Sequence, residues 1–386
     1  MKLFSAKFFA ALAALILASG CAGLPVRGGV GGQIIETRVD SDVARYYLAN
    51  YLASKRDNLL FDERIDRLYR NGDKGLPDRD ELKSLSDAFS VDFAALYFAD
   101  RIARIPANRE FREVYDHAYE RARNASLQPF NSAARYEVVF VPGYLYKRHP
   151  VTGADLAAPR AALDRAGMAQ HFVETVEDGA IEANAEIVAA AIRSRANNGR
   201  RLIVVSVSKS GAEVATALTR LGASGTSEVA AWVNIAGTLQ GSPLADESLL
   251  QMEEVIGKVD VAGVESLSAA RSRQRFAGFR IPRHIFVVNY IGIPFTGSVS
   301  MLARSGYLQL RVHGPNDGLS LLADLIAPDG VTLSELGRDH FLFDDQVDTA
   351  TLALAMTVIR QVEQRSQGMT QFSQDSGVGS GVGESP

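Results

Sequence analysis

The chain holds one cysteine, Cys21, in 386 residues, so no disulfide can form within it. Basic blocks are missing as well. The 41 Lys and Arg residues are outnumbered by 45 Asp and Glu, for a formal charge of −4. With no cationic stretch to neutralise phosphates, a nucleic-acid partner is not expected. The N-terminal apolar run, Phe8 to Leu17, is only ten residues long, against the roughly 20 that a bilayer-spanning helix needs. No His-x-x-x-His pair, second cysteine or calcium-loop spacing occurs, so no metal constellation is legible. A Walker loop and a Gly-x-Gly-x-x-Gly turn are also lacking, and no cofactor is expected.

What is present begins with a targeting segment. Lys2 and Lys7 flank the start, the apolar run follows, and Ala18-Ser19-Gly20 supplies small residues. Those are the three parts of a secretory signal over residues 1–20. The stretch Leu17-Ala18-Ser19-Gly20-Cys21 resembles the lipobox of bacterial lipoproteins. That resemblance implies cleavage before Cys21, lipidation of that cysteine and a membrane partner through the lipid. Ala22, where the family has aspartate for inner-membrane retention, implies the outer membrane, facing the periplasm.

Beyond the signal, glycines at 28, 29, 31 and 32 suggest a flexible tether over residues 21–40. Residues 41–130 read as a helical N-terminal subdomain: Ser41 can cap a helix carrying Val43, Tyr47 and Tyr51, and Leu82 to Tyr97 repeats apolar residues. From about residue 135 to 365 strands alternate with helices. Apolar β-rich runs lie at 136–141, 171–176, 202–207, 229–235 and 285–291. Uninterrupted apolar strands separated by helices predict an α/β fold with a mostly parallel central sheet covered on both faces. Residues 243–283 show no strand and suit either a lid over the sheet edge or surface helices. The Gly- and Ser-rich tail, 366–386, predicts disorder.

The chemistry centres on Leu202-Ile-Val-Val-Ser206-Val-Ser208-Lys209-Ser210-Gly211, a strand running straight into a helix. A nucleophile elbow needs that context, with small residues two positions either side of the serine. Ser206 and Ser210 meet that demand around Ser208, and Ser208 and Ala212 would meet it around Ser210. The stretch resembles the Gly-x-Ser-x-Gly elbow of the α/β-hydrolases, in particular the His-Ser-Lys-Gly-Gly form of many lipases, with serine replacing both glycines. That alignment selects Ser208. Two further motifs follow in the family's order: His313-Gly-Pro-Asn-Asp317-Gly resembles the loop carrying the triad acid, and Gly337-Arg-Asp-His340-Phe resembles the one carrying the histidine.

The resemblance spans residues 136 to 362 and implies a Ser208–Asp317–His340 triad, with a lipase- or esterase-like hydrolase acting on small-molecule or lipid esters. Asp339 is a rival acid by adjacency alone. The oxyanion hole is expected from backbone N–H groups of Lys209 and of Tyr144 or Leu145, which follow Pro142-Gly143. Asp317 lies far beyond the strand ending near Ile291, and Leu308 to Val312 reads either as an extra strand or as the chain continuing after a detour. Three other readings compete: amide hydrolysis or acyl transfer with the same triad, a non-catalytic envelope lipoprotein using the fold for binding, and the Ser-x-x-Lys motif of penicillin-binding proteins at Ser206 to Lys209. The last lacks its companions Ser-Asp-Asn and Lys-Thr-Gly.

Overall fold

The computed structural model describes residues 23–70, 75–124, 131–247 and 261–375. The signal, Cys21 and residues 376–386 lie outside them.

The main sheet comprises six strands: β3 (Tyr136–Val141), β4 (Ala169–Phe172), β5 (Arg201–Val207), β6 (Val229–Ile235), β7 (Phe286–Ile293) and β8 (Val331–Leu336), in the order β4-β3-β5-β6-β7-β8. Every pairing is parallel. Such strands are buried on both faces, which explains the continuous apolar runs. Alternate residues divide between two cores. Val138, Phe140, Ile203, Val205 and Val233 face one, and Val139, Val141, Leu202, Val204 and Trp232 face the other. The second core is closed by α7 (Ile181–Arg195) and α8 (Ser210–Gly225). The first is closed by α5 (Pro106–Asn124), α6 (Ala157–Arg165) and α13 (Val347–Asp375).

Strand β3 crosses outward to β4, and the chain then returns to β5 on β3's other side. The carboxyl ends of β3 and β5 therefore flank the point where the direction of winding reverses, the usual ligand crevice of an open parallel sheet.

Several expectations need correction. Residues 24–39 are not a tether: β1 (Leu24–Val30) and β2 (Gln33–Val39) pair as an antiparallel hairpin. Val26, Val30, Ile35 and Val39 are buried in a third core with α1 (Asp42–Tyr46), α4 (Val91–Arg104) and the π-helical turn Tyr47–Tyr51. The glycines that suggested flexibility meet specific demands. Gly31 and Gly32, at φ 56° and 89°, make the two-residue hairpin turn. At Gly28 a Cβ would lie 2.3 Å from the Leu48 carbonyl oxygen.

The helical region is also less separate than its composition suggests. Helices α1, α2 (Leu59–Tyr69), α3 (Arg79–Ala88) and α4 surround the third core, which takes in Ile291, Ile293, Phe295, Leu322 and Leu325 of the main body. Helix α5 sends Phe111, Tyr115 and Ala118 into the first sheet core. After α8 come the described helices α9 (Pro243–Glu247), α10 (Val261–Ser266) and α11 (Ala269–Ala277), and residues 308–312 form no strand: α12 (Arg304–Leu310) runs into a 3₁₀ turn, Arg311–His313. The main-sheet strand that sequence reading missed is β8, just after Asp329-Gly330. Strand β4 is shorter than the 171–176 run, and α13 continues to Asp375, past the expected start of a disordered tail.

Gly28→Ala is expected to destabilise the protein by about 1–3 kcal/mol, the usual range for overpacking. Gly29→Ala, whose added Cβ meets only Gln33 O at 3.5 Å, is expected to cost less. Thermal unfolding of both variants checks this, and equal, negligible effects would restore the tether.

Candidate active site

Strand β5 delivers Ser208 to its carboxyl end, and α8 opens at Ser210. Ser208 has φ 58°, a left-handed conformation that costs a residue with a Cβ about 1–2 kcal/mol. Its surroundings hold it there. The Ser208 N–H donates to Ile235 O at 2.9 Å, and its carbonyl accepts from the Gly211 and Thr238 N–H groups, each at 3.0 Å.

The neighbours have no room to grow. A Cβ on Gly211 would meet Asn234 Oδ1 at 2.6 Å, and one on Gly143 would meet Val207 O at 3.1 Å and Ser208 Cβ at 3.4 Å. The Ser206 hydroxyl is buried and accepts from Trp232 Nε1 at 2.8 Å, so the Ser-x-x-Lys pattern has no available serine. Ser210 is buried too. Its Oγ lies 2.8 Å from Val141 O and 2.9 Å from Val207 O, and accepts from the Val207 N–H. Ser208 alone of the three faces a ring nitrogen.

The sheet with this sharp turn after β5, an acid loop between β7 and β8 and a histidine loop after β8 decides the architecture. This is an α/β-hydrolase fold.

Within the α/β-hydrolase frame, three expected side chains meet. His340 Nε2 lies 2.9 Å from Ser208 Oγ, and His340 Nδ1 lies 2.6 Å from Asp317 Oδ2. Asp317 is buried, and its other oxygen, Oδ1, accepts from the N–H groups of Leu319 at 2.9 Å and Ser320 at 2.7 Å. Together these contacts fix the carboxylate in direction. An acceptor at Nδ1 fixes the tautomer in which Nε2 is unprotonated and open to the serine hydroxyl. The two loops are also joined through backbone, His340 N–H to Asp317 O at 2.8 Å.

Asp339 does other work: Oδ2 accepts from Ser300 N–H at 2.7 Å and Oδ1 from Phe341 N–H at 3.1 Å. It shapes the histidine loop and does not reach the imidazole. Of the expected oxyanion donors, Leu145 is unsuited, because its N–H already donates to Glu177 O at 3.0 Å. The candidates narrow to Lys209 and Tyr144.

The Lys209 side chain is buried. It forms a buried ion pair with Glu213 one helical turn on, and Asn184 Nδ2 donates to the same carboxylate at 2.8 Å. Burial pushes the Glu213 carboxyl up, and Lys209 and Asn184 pull it back. Sequence reading missed this pair, although its i,i+4 spacing is a helix-pairing signal. It missed the Leu319 and Ser320 donors too, which follow the turn made by Gly318 at φ 104°.

Asp317 lies within a long excursion, residues 294–330, fastened at several points. Asn234 and Asn289 join each other and hold Leu325 O and the Ala327 backbone. Arg79 of α3 pairs with the buried Asp324, and Ser242 Oγ donates to Leu319 O. Asp92 of α4 accepts from Thr296 N–H and Tyr307 Oη, while Arg311 bonds Asp40 and Thr296. Burial, then the nearby Asp40 carboxylate, pushes Asp92 up to about 7.

Ser208 and His340 open on a cavity of about 870 Å³ with a mainly apolar lining. Leu244, Ala245, Val264 and Leu267, from the stretch expected to be lid or surface, form part of its wall. No cluster of metal-binding side chains occurs among the described residues.

No protein-family model matches the chain, and no curated protein does. Among solved structures it is similar to a metagenomic carboxyl esterase at 24% identity, over 62% of this chain and 78% of that one, with a TM-score of 0.49. A Bacillus licheniformis lipase in mature form is 20% identical over 59% of this chain and 92% of that one, TM-score 0.47. A phospholipase from Legionella pneumophila is 15% identical over 50% and 46%, TM-score 0.35.

Asp317→Asn is expected to lower kcat by about 10⁴-fold, the scale seen when a triad acid loses its charge. Asp339→Asn is expected to keep activity within about tenfold and to lose stability, by about 1–3 kcal/mol for the impaired buried bonds. Kinetics and unfolding of the two variants check this; a larger loss of kcat in Asp339→Asn than in Asp317→Asn would make Asp339 the acid.

Proposed function

We propose that this chain is a serine hydrolase that cleaves carboxylic esters, with Ser208 as nucleophile, His340 as general base and acid, and Asp317 orienting the imidazole. The observation that carries this reading is the hydrogen-bonded chain from Ser208 through His340 to Asp317, set on the strained turn after β5 and open to an apolar cavity.

A serine hydroxyl is a poor nucleophile until its proton has somewhere to go. His340 Nε2 takes that proton as Ser208 Oγ attacks the ester carbonyl, and Asp317 stabilises the imidazolium. The Lys209 N–H stands at the amino end of α8, where the helix dipole favours negative charge. It and the Tyr144 N–H would stabilise the oxyanion. The imidazolium then protonates the departing alkoxide, leaving an acyl-Ser208 ester. Water, deprotonated by the same imidazole, releases the acid and restores the serine. The mainly apolar cavity favours substrates with a hydrocarbon acyl group. The buried Lys209–Glu213 pair locks the first turn of α8 and with it the N–H that faces the oxyanion.

Localisation is a second part of the proposal. Residues 1–20 would be removed as a signal and Cys21 lipidated, anchoring the enzyme in the bacterial envelope, on the outer membrane facing the periplasm. Strand β1 begins at Leu24, so the anchor would hold the folded body close to the lipid surface.

Ser208→Ala is expected to reduce turnover of a short-chain nitrophenyl ester by at least about 10⁴-fold with unchanged unfolding behaviour; retained turnover would contradict the assignment. In a bacterial host, Cys21→Ser is expected to move the protein from the membrane to the soluble fraction. A variant that still sediments with membranes would remove the lipid anchor from the account.

A further inference from the structure

The cavity beside Ser208 does not stop at the site. Its lining continues down the face of the sheet, through side chains that in a filled core would touch the helices opposite. The register sets these side chains in layers. Val207 pairs with Ile235 nearest the site; Phe140, Val205 and Val233 share the next layer; Val138 and Ile203 share the one below. The opposite wall comes from Leu163 of α6 and Leu354, Ala355 and Val358 of α13. Apart from Tyr290 and Thr351, the side chains lining this descending part are hydrocarbon.

Protein cores are packed to near-crystalline density, and an unfilled apolar void within one is destabilising. Water is a poor filling, because it needs two or more polar partners that these walls do not supply. A space that begins at a nucleophile and is walled by aliphatic side chains fits an unbranched hydrocarbon. From Val207 to Ile203 the strand falls about 13 Å at roughly 3.3 Å per residue. With bonds of about 1.5 Å meeting at about 111°, an extended alkyl chain advances about 1.25 Å per carbon, so about ten carbons match that depth.

Resting on the ester-hydrolase reading, we propose that the space between the sheet and helices α6 and α13 is an acyl-chain shaft, making the substrates esters of unbranched acids of about ten to twelve carbons. The acyl carbon sits at Ser208, the chain descends past Val205, and Ile203 with Val138 forms the floor. The alcohol part stays in the upper cavity, where Val151 and Phe343, 70% and 42% exposed, stand at the rim.

The test is a chain-length series of nitrophenyl esters from acetyl to hexadecanoyl, assayed with the full-length mature protein in detergent. kcat/KM is expected to rise by about fourfold per methylene, near the value for burying a CH₂, and to level off or fall beyond about twelve carbons. Val205→Phe, which blocks the shaft in its second layer, is expected to lower the decanoyl-to-butyryl ratio at least tenfold. Ala355→Leu, a milder change on the opposite wall, should shift the ratio in the same direction if the phenylalanine variant fails to fold. Turnover confined to acetyl and butyryl esters, or a ratio unmoved by both variants, would overturn the shaft and leave the hydrolase reading intact. No turnover on any ester would remove that reading instead. The shaft then stands or falls on binding of decanoate to Ser208→Ala by calorimetry: binding weakened by Ala355→Leu supports it, and no binding overturns it.

Discussion

The left-handed backbone at Ser208 is the constraint on which the rest of the site depends. A serine there carries a Cβ penalty that an ordinary loop would relax away. It persists because the turn is pinned between Ile235, Thr238 and Gly211, and because the residues two positions away have buried hydroxyls that serve as internal struts. Serine in place of glycine at 206 and 210 thus has a structural use. Each is small enough for the turn, and each adds a bond a glycine could not make.

The second requirement is distance. In this chain Asp317 sits inside the excursion from 294 to 330 that joins β7 to β8, and a connection of that length has much conformational entropy to lose. Its attachments are spread over the molecule: the Asn234–Asn289 pair from the sheet, Ser242 from the cavity wall, and Arg79, Asp40 and Asp92 from the N-terminal region. The N-terminal hairpin and helices therefore act as a buttress for the loop that carries Asp317, which accounts for a third core shared between residues 26–102 and 291–325.

Much of this was legible in the residues. Apolar runs of strand length marked most of the sheet, because parallel strands are buried on both faces. The three motifs of the site were legible because each needs a specific backbone turn, and glycines or small residues show where it is. The hairpin was not, since Gly28, Gly31 and Gly32 look alike in composition while one serves close packing and two serve a turn. Strand β8 was missed for another reason. Val331-Thr-Leu-Ser-Glu-Leu336 mixes apolar with polar residues, and its Thr332 and Leu336 N–H groups donate to the side chains of Asn108 and Gln33, far away in sequence. Leu145 failed as an oxyanion donor because its N–H is taken by Glu177, a contact between distant residues that no local pattern carries.

The central claim is that Ser208 is an activated nucleophile. It is tested most directly by reacting the folded protein with a fluorophosphonate and mapping the adduct by mass spectrometry. The account predicts one adduct, on Ser208, that is lost in His340→Ala. An adduct on Ser210, or none on folded protein in the presence of detergent micelles, would contradict it.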